Sequence, residues 1–375
     1  MQKAVALLCF IFVSYVCEAK FEGTYGPEFT VTSNYGDVRT GEDLALNKKL
    51  IEHLIENQPE GAKFRQNIKL GYPPLDRYES PNGWWFAFRT DPGVIEIQMK
   101  PMTVKDFKKY QSDMQDAIFV SAANVGLFPW DYQGGGHINI GVGAFDGNPL
   151  LLRNFIVDYF NHNELALGVL NYDTLNAASL SIQNSNSIEA VQELLNRFDQ
   201  NEFGNNYSGV RRFLGDLNFF RSRSSDFFAH HGRGKNTDMS FDAAASGDER
   251  IEIRAVRPQK SIDRWVKQIE LLDARINYLA KIKTPIPLKF KVNVKPFPTN
   301  PTHEELQYRR FNPPVDPQEA LRAFYEYVNE SGLKWSDYVS DLWPKWIADG
   351  EVKKFEASKW FKRREAKNCS QLLGQ

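Results

Sequence analysis

Cysteine is scarce in this sequence. Of three among 375 residues, Cys9 and Cys17 lie in or beside a single apolar N-terminal run, which leaves Cys369 in a polar tail. That excludes an internal disulfide framework, a CxxC redox pair and a cysteine-based zinc site. A charge excess of either sign is missing too: Lys plus Arg number 46 and Asp plus Glu 47, a formal net charge of -1. With no overall field to draw a phosphate backbone, double-stranded nucleic acid is not an expected partner. Beyond the N-terminus no apolar stretch is long enough to cross a bilayer, so no transmembrane segment is expected. Internal repeats and the spacing of a Walker A loop are also absent.

What remains is an ordinary globular composition, 42% hydrophobic, 13% aromatic and 25% charged, in a chain long enough to bury a sizeable core. Met1-Gln2-Lys3 precedes the apolar run Ala4 to Val16, and small residues at Cys17 and Ala19 suit cleavage after Ala19. Residues 1–19 therefore read as a signal peptide, and the chain as exported, secreted or periplasmic. Residues 20–284 read as one catalytic-type domain, and 285–375 as a Pro-containing connection with a helical C-terminal extension anchored by Trp335, Trp343, Trp346 and Trp360.

Period-two patterns place strands at 21–33, 83–89, 94–100, 136–142 and 250–256, and helical patterns fall at 43–57, 103–118, 149–167, 187–198 and 262–282. Thr103 and Ser187 stand where N-caps belong. Between Asp199 and Gly247 the chain is dense in Asn, Gly, Ser and Arg with little periodicity, which predicts a functional loop system or lid. The expected fold is α/β, of the α+β kind: a curved, largely antiparallel sheet with flanking helices, which the family resemblance given below implies to be a half-barrel.

Four strands carry ionisable side chains between apolar neighbours: Glu28, Glu96, His137, and Arg250-x-Glu252-x-Arg254. Strand side chains alternate faces, so each polar set shares one face. A solvent-washed outer face gives the same alternation. If the strands are neighbours, however, Glu28, Glu96, His137 and Glu252 form a cluster suited to Mg²⁺ or Mn²⁺, flanked by arginines that suit anionic oxygens. Glu28 with Glu252 is also the minimum for a glycosidase pair. His230-His231-Gly232-Arg233-Gly234-Lys235 offers flexible backbone and two cations to a phosphate.

Tyr25-Gly26-Pro27-Glu28-Phe29, Val94-Ile95-Glu96-Ile97, Gly134-Gly135-Gly136-His137-Ile138-Asn139-Ile140 and Arg250-Ile251-Glu252-Ile253-Arg254 follow one another in an order that resembles the glutamine synthetase and glutamate-cysteine ligase superfamily, and within it the amidoligase branch. The resemblance spans roughly 21–282. It implies ATP, with Mg²⁺ or Mn²⁺, and an acyl phosphate made from a small carboxylate or peptide substrate and attacked by an amine. It also implies Glu28, Glu96, His137 and Glu252 as ion ligands, and Glu252, Arg254 and His137 as the catalytic set. Arg250, Arg254, His137, Arg233 and Lys235 would contact the nucleotide. Thr30 stands where the pattern has a second acid and Asn139 where it has a second histidine, and each change removes charge or a ligand from the ion site. The alternatives are a secreted non-catalytic binding protein on the same fold, with a protein partner for Trp84, Trp85 and Trp130, and a metal-dependent hydrolase.

Overall fold

The computed structural model describes residues 23–33, 42–68, 75–91, 94–129, 136–145, 148–162, 188–204, 207–223, 239–240, 250–256, 259–289, 316–342 and 349–372. The expected signal peptide 1–19, Trp130, Trp343, Trp346, Arg233 and Lys235 lie outside them. Strands are β1 (Tyr25–Thr32), β2 (Lys63–Ile68), β3 (Leu75–Glu79), β4 (Trp85–Asp91), β5 (Val94–Met99), β6 (Phe128–Pro129), β7 (Gly136–Gly141), β8 (Met239–Ser240) and β9 (Arg250–Val256). They form one sheet in the order β2-β3-β4-β5-β1-β7-β9-β8, with β6 added to β1, and every pairing is antiparallel. The sheet is open, with β2 and β8 at its edges, and is not closed into a barrel.

One face is apolar because the odd positions of β1 and their cross-strand partners are aromatic or aliphatic. Tyr25, Phe29 and Val31 line up with Ile140, Ile97 and Ile95, and Ile97 with Phe88. Helices α1 (Glu42–Asn57) and α2 (Val104–Met114) flank this sheet. A π-helical stretch, Gln115–Val120, continues α2 into the short α3 (Ser121–Asn124). The oxygen of Thr103 caps α2 by accepting from the Asp106 N–H, as its position in the sequence predicts. Helix α7 (Ile262–Leu279), capped by Ser261, brings Trp265 to within 5.5 Å of Phe29, whose other contact is Phe119 at 5.3 Å. Truncating a ring held this way costs about 3–5 kcal/mol.

Helix α4 (Pro149–Asn161) is buried along most of its length, polar residues included. Its asparagines grip the following chain as a strand would. Asn154 Nδ2 donates to the Thr284 carbonyl while its Oδ1 accepts from Ile286 N–H, and Asn161 repeats this with Pro287 and Lys289. The helical pattern drawn to 167 stops at Asn161 among the described residues, and that drawn to 282 stops at Leu279. Helix α5 (Ile188–Asp199) falls where expected. The span from 199 to 247 requires correction, because Tyr207–Arg223 is a helix, α6, with Phe213 and Leu214 buried. Its apolar positions Val210, Phe213 and Leu214 have helical spacing but are diluted by arginine, serine and asparagine.

The C-terminal helices α8 (Pro317–Glu330), α9 (Trp335–Leu342), α10 (Asp349–Ala357) and α11 (Lys359–Leu372) enclose a second core around Phe324, Tyr325, Trp335 and Phe355, which also includes Leu271 of α7. Trp335 is a buried anchor as expected, and Trp360 packs on the rim of this core. One guanidinium joins the two cores. Arg275 of α7 donates to both carboxylate oxygens of Asp158 at 2.8 and 2.6 Å and to Glu330 of α8 at 2.8 Å, and lies 4.3 Å from the centre of the Tyr327 ring. Arg275 and Asp158 side chains are 3% and 6% exposed, so removing either partner strands a buried charge. Arg275→Ala should therefore lower unfolding stability by about 3–5 kcal/mol in chemical denaturation and expose α8–α11 to limited proteolysis before the sheet. An unchanged denaturation midpoint would show the bridge to be dispensable.

Candidate metal centre

The even positions of β1 build the opposite face. In register, Glu28 stands between Gln98 of β5 and His137 of β7, Thr30 opposite Glu96, Arg89 of β4 opposite Glu96, and Glu252 of β9 opposite Asn139. The pairing of β7 with β9 is irregular: Gly136 partners Val256 and Ile138 partners Ile253, so three steps on β9 match two on β7. Such a bulge re-aims side chains at a site. Here Arg254 lies within it, between the Ile138–Ile253 and Gly136–Val256 pairs, and Val256 is buried like Ile251 and Ile253.

The result is a compact charged centre. His137 Nδ1 lies 2.9 Å from Glu252 Oε1 and 3.6 Å from Glu28 Oε1, while Arg254 donates to Glu252 Oε2 at 2.9 Å. The His137 and Glu252 side chains are each 15% exposed. One ligand atom from each of Glu28, His137 and Glu252 lies within 4.8 Å of the other two, the convergence a divalent ion needs. His137 Nδ1 is buried without a well-angled hydrogen bond despite its near neighbours, and Thr30 Oγ1 and Asn139 Oδ1 on the same face have no partner. Two carboxylates and an imidazole with under-used polar atoms beside them fit a divalent cation, and the donor set does not select one metal. Glu96, expected as a fourth ligand, sits one step away. It takes hydrogen bonds or ion pairs from Gln98 and Arg89, both at 2.7 Å, and contacts Glu28, but it is not among the three converging residues.

In the metal-free protein the charges answer one another. Burial opposes ionisation of Glu252, but the His137 imidazolium and the Arg254 guanidinium hold its carboxyl far below the usual range. Burial likewise opposes ionisation of Glu28, and His137 outweighs it, leaving that carboxyl below its ordinary value. Burial would lower His137, yet the charge of Glu252 pushes it up to about 9. Burial and the neighbouring Glu28 carry Glu96 up to about 7, against the pull of Arg89.

A cavity of about 450 Å³ opens on this face beside Glu28. Gly26, Gly141 and Gly143 contribute only backbone to its lining, while Trp85, Asn139 and Arg250 supply a flat ring, an amide and a cation. Arg250 thus lies at the cavity rather than on the converging triad. Arg89 goes unassigned in the sequence and Trp85 is read only as a docking aromatic, although the alternation of 83–89 puts both on the polar face. Trp84, by contrast, is 2% exposed and belongs to the core, so it is not a docking residue. Neither a protein-family model nor a curated protein matches the chain in sequence.

The raised His137 value fixes a pH signature for the metal-free protein. A histidine whose folded pKa exceeds its unfolded value of about 6.5 contributes fully below that pH and loses its contribution as pH rises through about 9. Stability should fall on the order of 2–3 kcal/mol between pH 6.5 and 9.5. His137→Gln should flatten that limb in pH-dependent urea melts, whereas an equally steep limb in the variant would assign it elsewhere.

Proposed function

We propose that Glu28, His137 and Glu252 hold a divalent ion, Mg²⁺ or Mn²⁺, and that a phosphate-bearing nucleotide binds beside it against Arg254 and Arg250. On this reading the protein is an ATP-dependent carboxylate-amine ligase. The observation that carries it is the convergence of two carboxylates and an imidazole on one polar sheet face, flanked by two arginines and next to a cavity of about 450 Å³. Bound there, the ion would screen charge on the nucleotide phosphates. Arg254 steadies Glu252 through its Oε2 and leaves Oε1 directed toward the centre. Arg250 is placed to hold an anionic oxygen at the cavity wall. In the reaction a substrate carboxylate oxygen attacks the terminal phosphorus of ATP and ADP leaves. An amine then attacks the acyl carbon, phosphate departs, and a carboxylate base takes the amine proton.

A second reading has one specific observation in its favour. The three carboxylates Glu28, Glu96 and Glu252 are already faced by Arg89, His137 and Arg254, so the layer is neutralised without an ion. A non-catalytic binding protein could keep that layer for rigidity. It also fits the expected export of the chain into compartments poor in ATP.

Calorimetric titration with Mn²⁺, alone and with ATP, separates the two. Under the ligase reading ATP tightens Mn²⁺ binding, and Glu252→Gln or Arg254→Ala weakens the pair by about 10–100-fold. Absence of any Mn²⁺ or ATP binding at about 1 mM, or binding unaltered in both variants, would hand first place to the binding-protein reading. An assay for product amide follows only if the ligands bind, since Thr30 and Asn139 weaken the ion shell relative to the family pattern.

A further inference from the structure

The last helix carries charge that works against its own stability. Within residues 359–367 of α11 stand five cations, Lys359, Lys362, Arg363, Arg364 and Lys367, against the single acid Glu365, in a chain whose formal net charge is -1. All five are exposed. Arg364 pairs with Glu326 at 3.4 Å, but among the described residues no carboxylate pairs with the other four. With about 3.6 residues per turn, Lys359, Lys362, Arg363 and Lys367 fall on one stripe about 12 Å long. The opposite side of the helix is the one that packs: the Phe361 ring lies 5.2 Å from Tyr325 and 5.3 Å from Phe355, and Glu365 accepts from the Tyr325 hydroxyl. The stripe is therefore turned away from the second core on a helix that is held in place. On its flank, Trp360 has the guanidinium groups of Arg322 and Arg364 at 5.0 and 5.6 Å from its ring centre, both exposed.

Two features of this row oppose the helix that bears it. Lys359 with Arg363, and Arg363 with Lys367, are like charges four residues apart, a spacing at which they repel. Lys359 and Lys362 also fall in the first four residues, where the helix dipole favours acids and where the first turn of α11 has none. Nothing in the fold offsets either effect, since the nearest acid on the helix, Glu365, faces Tyr325 instead. An external polyanion relieves both at once.

We propose that this stripe binds a linear anionic polysaccharide, with the oxyanions of successive sugars against Lys359, Lys362, Arg363 and Lys367. The layout of the charges selects the class. The cations follow one another at about 6 Å or less along the axis, inside the screening length of about 10 Å at 0.1 M salt, so an extended polyanion feels all four where a small anion meets one or two. No large apolar side chain lies on the stripe, because Phe361 is packed inward, and a bilayer therefore has nothing to take up among its lipid chains. Duplex nucleic acid needs phosphate contacts over a broad basic face, which a chain of net charge -1 with one short stripe does not offer.

Heparin is the probe, titrated by calorimetry into the full chain across a series of salt concentrations. Polygalacturonate, which carries carboxylates alone, is the second arm and shows whether sulfate is required. Heparin should bind at about 10 μM or tighter at low salt, and log Kd should rise against log salt with a slope of about 3, as four displaced counterions dictate. Lys362→Gln with Arg363→Gln and Lys367→Gln should weaken heparin about tenfold or more and reduce that slope by about 2, without lowering the melting temperature. Lys48→Gln with Lys49→Gln and Lys105→Gln removes the same charge from exposed positions elsewhere and should leave binding as in the parent. The Mn²⁺ titration should be unchanged in the stripe variant, so failure at one site does not decide the other. The proposal is overturned if neither polysaccharide binds at about 1 mM, if the control variant loses as much affinity as the stripe variant, or if duplex DNA or phosphatidylglycerol vesicles bind as tightly as heparin.

Discussion

The period of two, held in register across neighbouring antiparallel strands, is the constraint on which the rest of this protein depends. Because Glu28 faces Gln98 and His137 across its two neighbours, a charge placed on one strand is delivered to the same face as the charges on the next. A slip of one residue on β1 would turn Phe29 out of its contacts with Phe119 and Trp265 and put Glu28 in their place. The apolar face therefore fixes the geometry of the polar one: the helices that cover Phe29 also hold Glu28 in position, although they never touch the charged centre. Burying a carboxylate at that point would be prohibitive without a compensating cation, so register and electrostatics enforce each other.

The polar layer is balanced between two states. Without metal, His137 carries a proton because Glu252 makes the charged imidazole favourable, and Arg254 and Arg89 close the remaining circuit. With a metal, the ion would have to replace that proton, since the ligating imidazole must be neutral. The residues that make the layer stable without an ion are thus those that compete with one. Arg254 stands apart from this competition. It holds Glu252 by Oε2 and does not occupy Oε1, so it orients the carboxylate in either state.

The strands of the centre were legible because alternation is local and because charged residues between isoleucines and valines are conspicuous. The order of the strands was not: nothing in Arg250–Val256 says that it lies beside β7 rather than β5. The bulge that contains Arg254 hides further still, since it breaks the alternation that reveals the strand: Ile251, Ile253 and Val256 are buried, a spacing of two and then three. Helix α6 was missed because its buried positions, Phe213 and Leu214, sit among arginines, and composition outweighed spacing. Glu96 is grouped with the converging ligands by alternation and by the family resemblance. Alternation gives the face but not the reach, and Arg89 and Gln98 draw the carboxylate aside. The Arg275 bridge joins residues more than 30 positions apart and leaves no trace in sequence periodicity.

Trp84 and Trp85 show how one pair of residues serves two cavities. Successive side chains in an extended chain point to opposite faces, so Trp84 walls a second cavity at the end of α1 and Trp85 the one beside Glu28. Their backbone carbonyls are held in place, that of Trp84 by the N–H of Ser80 at 2.9 Å and that of Trp85 by the N–H of Lys100 at 2.9 Å. Arg77 lies over the Trp85 ring at 4.2 Å from its centre, while Tyr78 and Phe86 pack against Trp84. Coupling between two sites requires an element with two arrangements whose balance both ligands shift. A dipeptide fixed by hydrogen bonds at each carbonyl, by rings against Trp84 and by a guanidinium over Trp85 shows no second arrangement among the described residues. Shared walls therefore do not by themselves imply shared regulation.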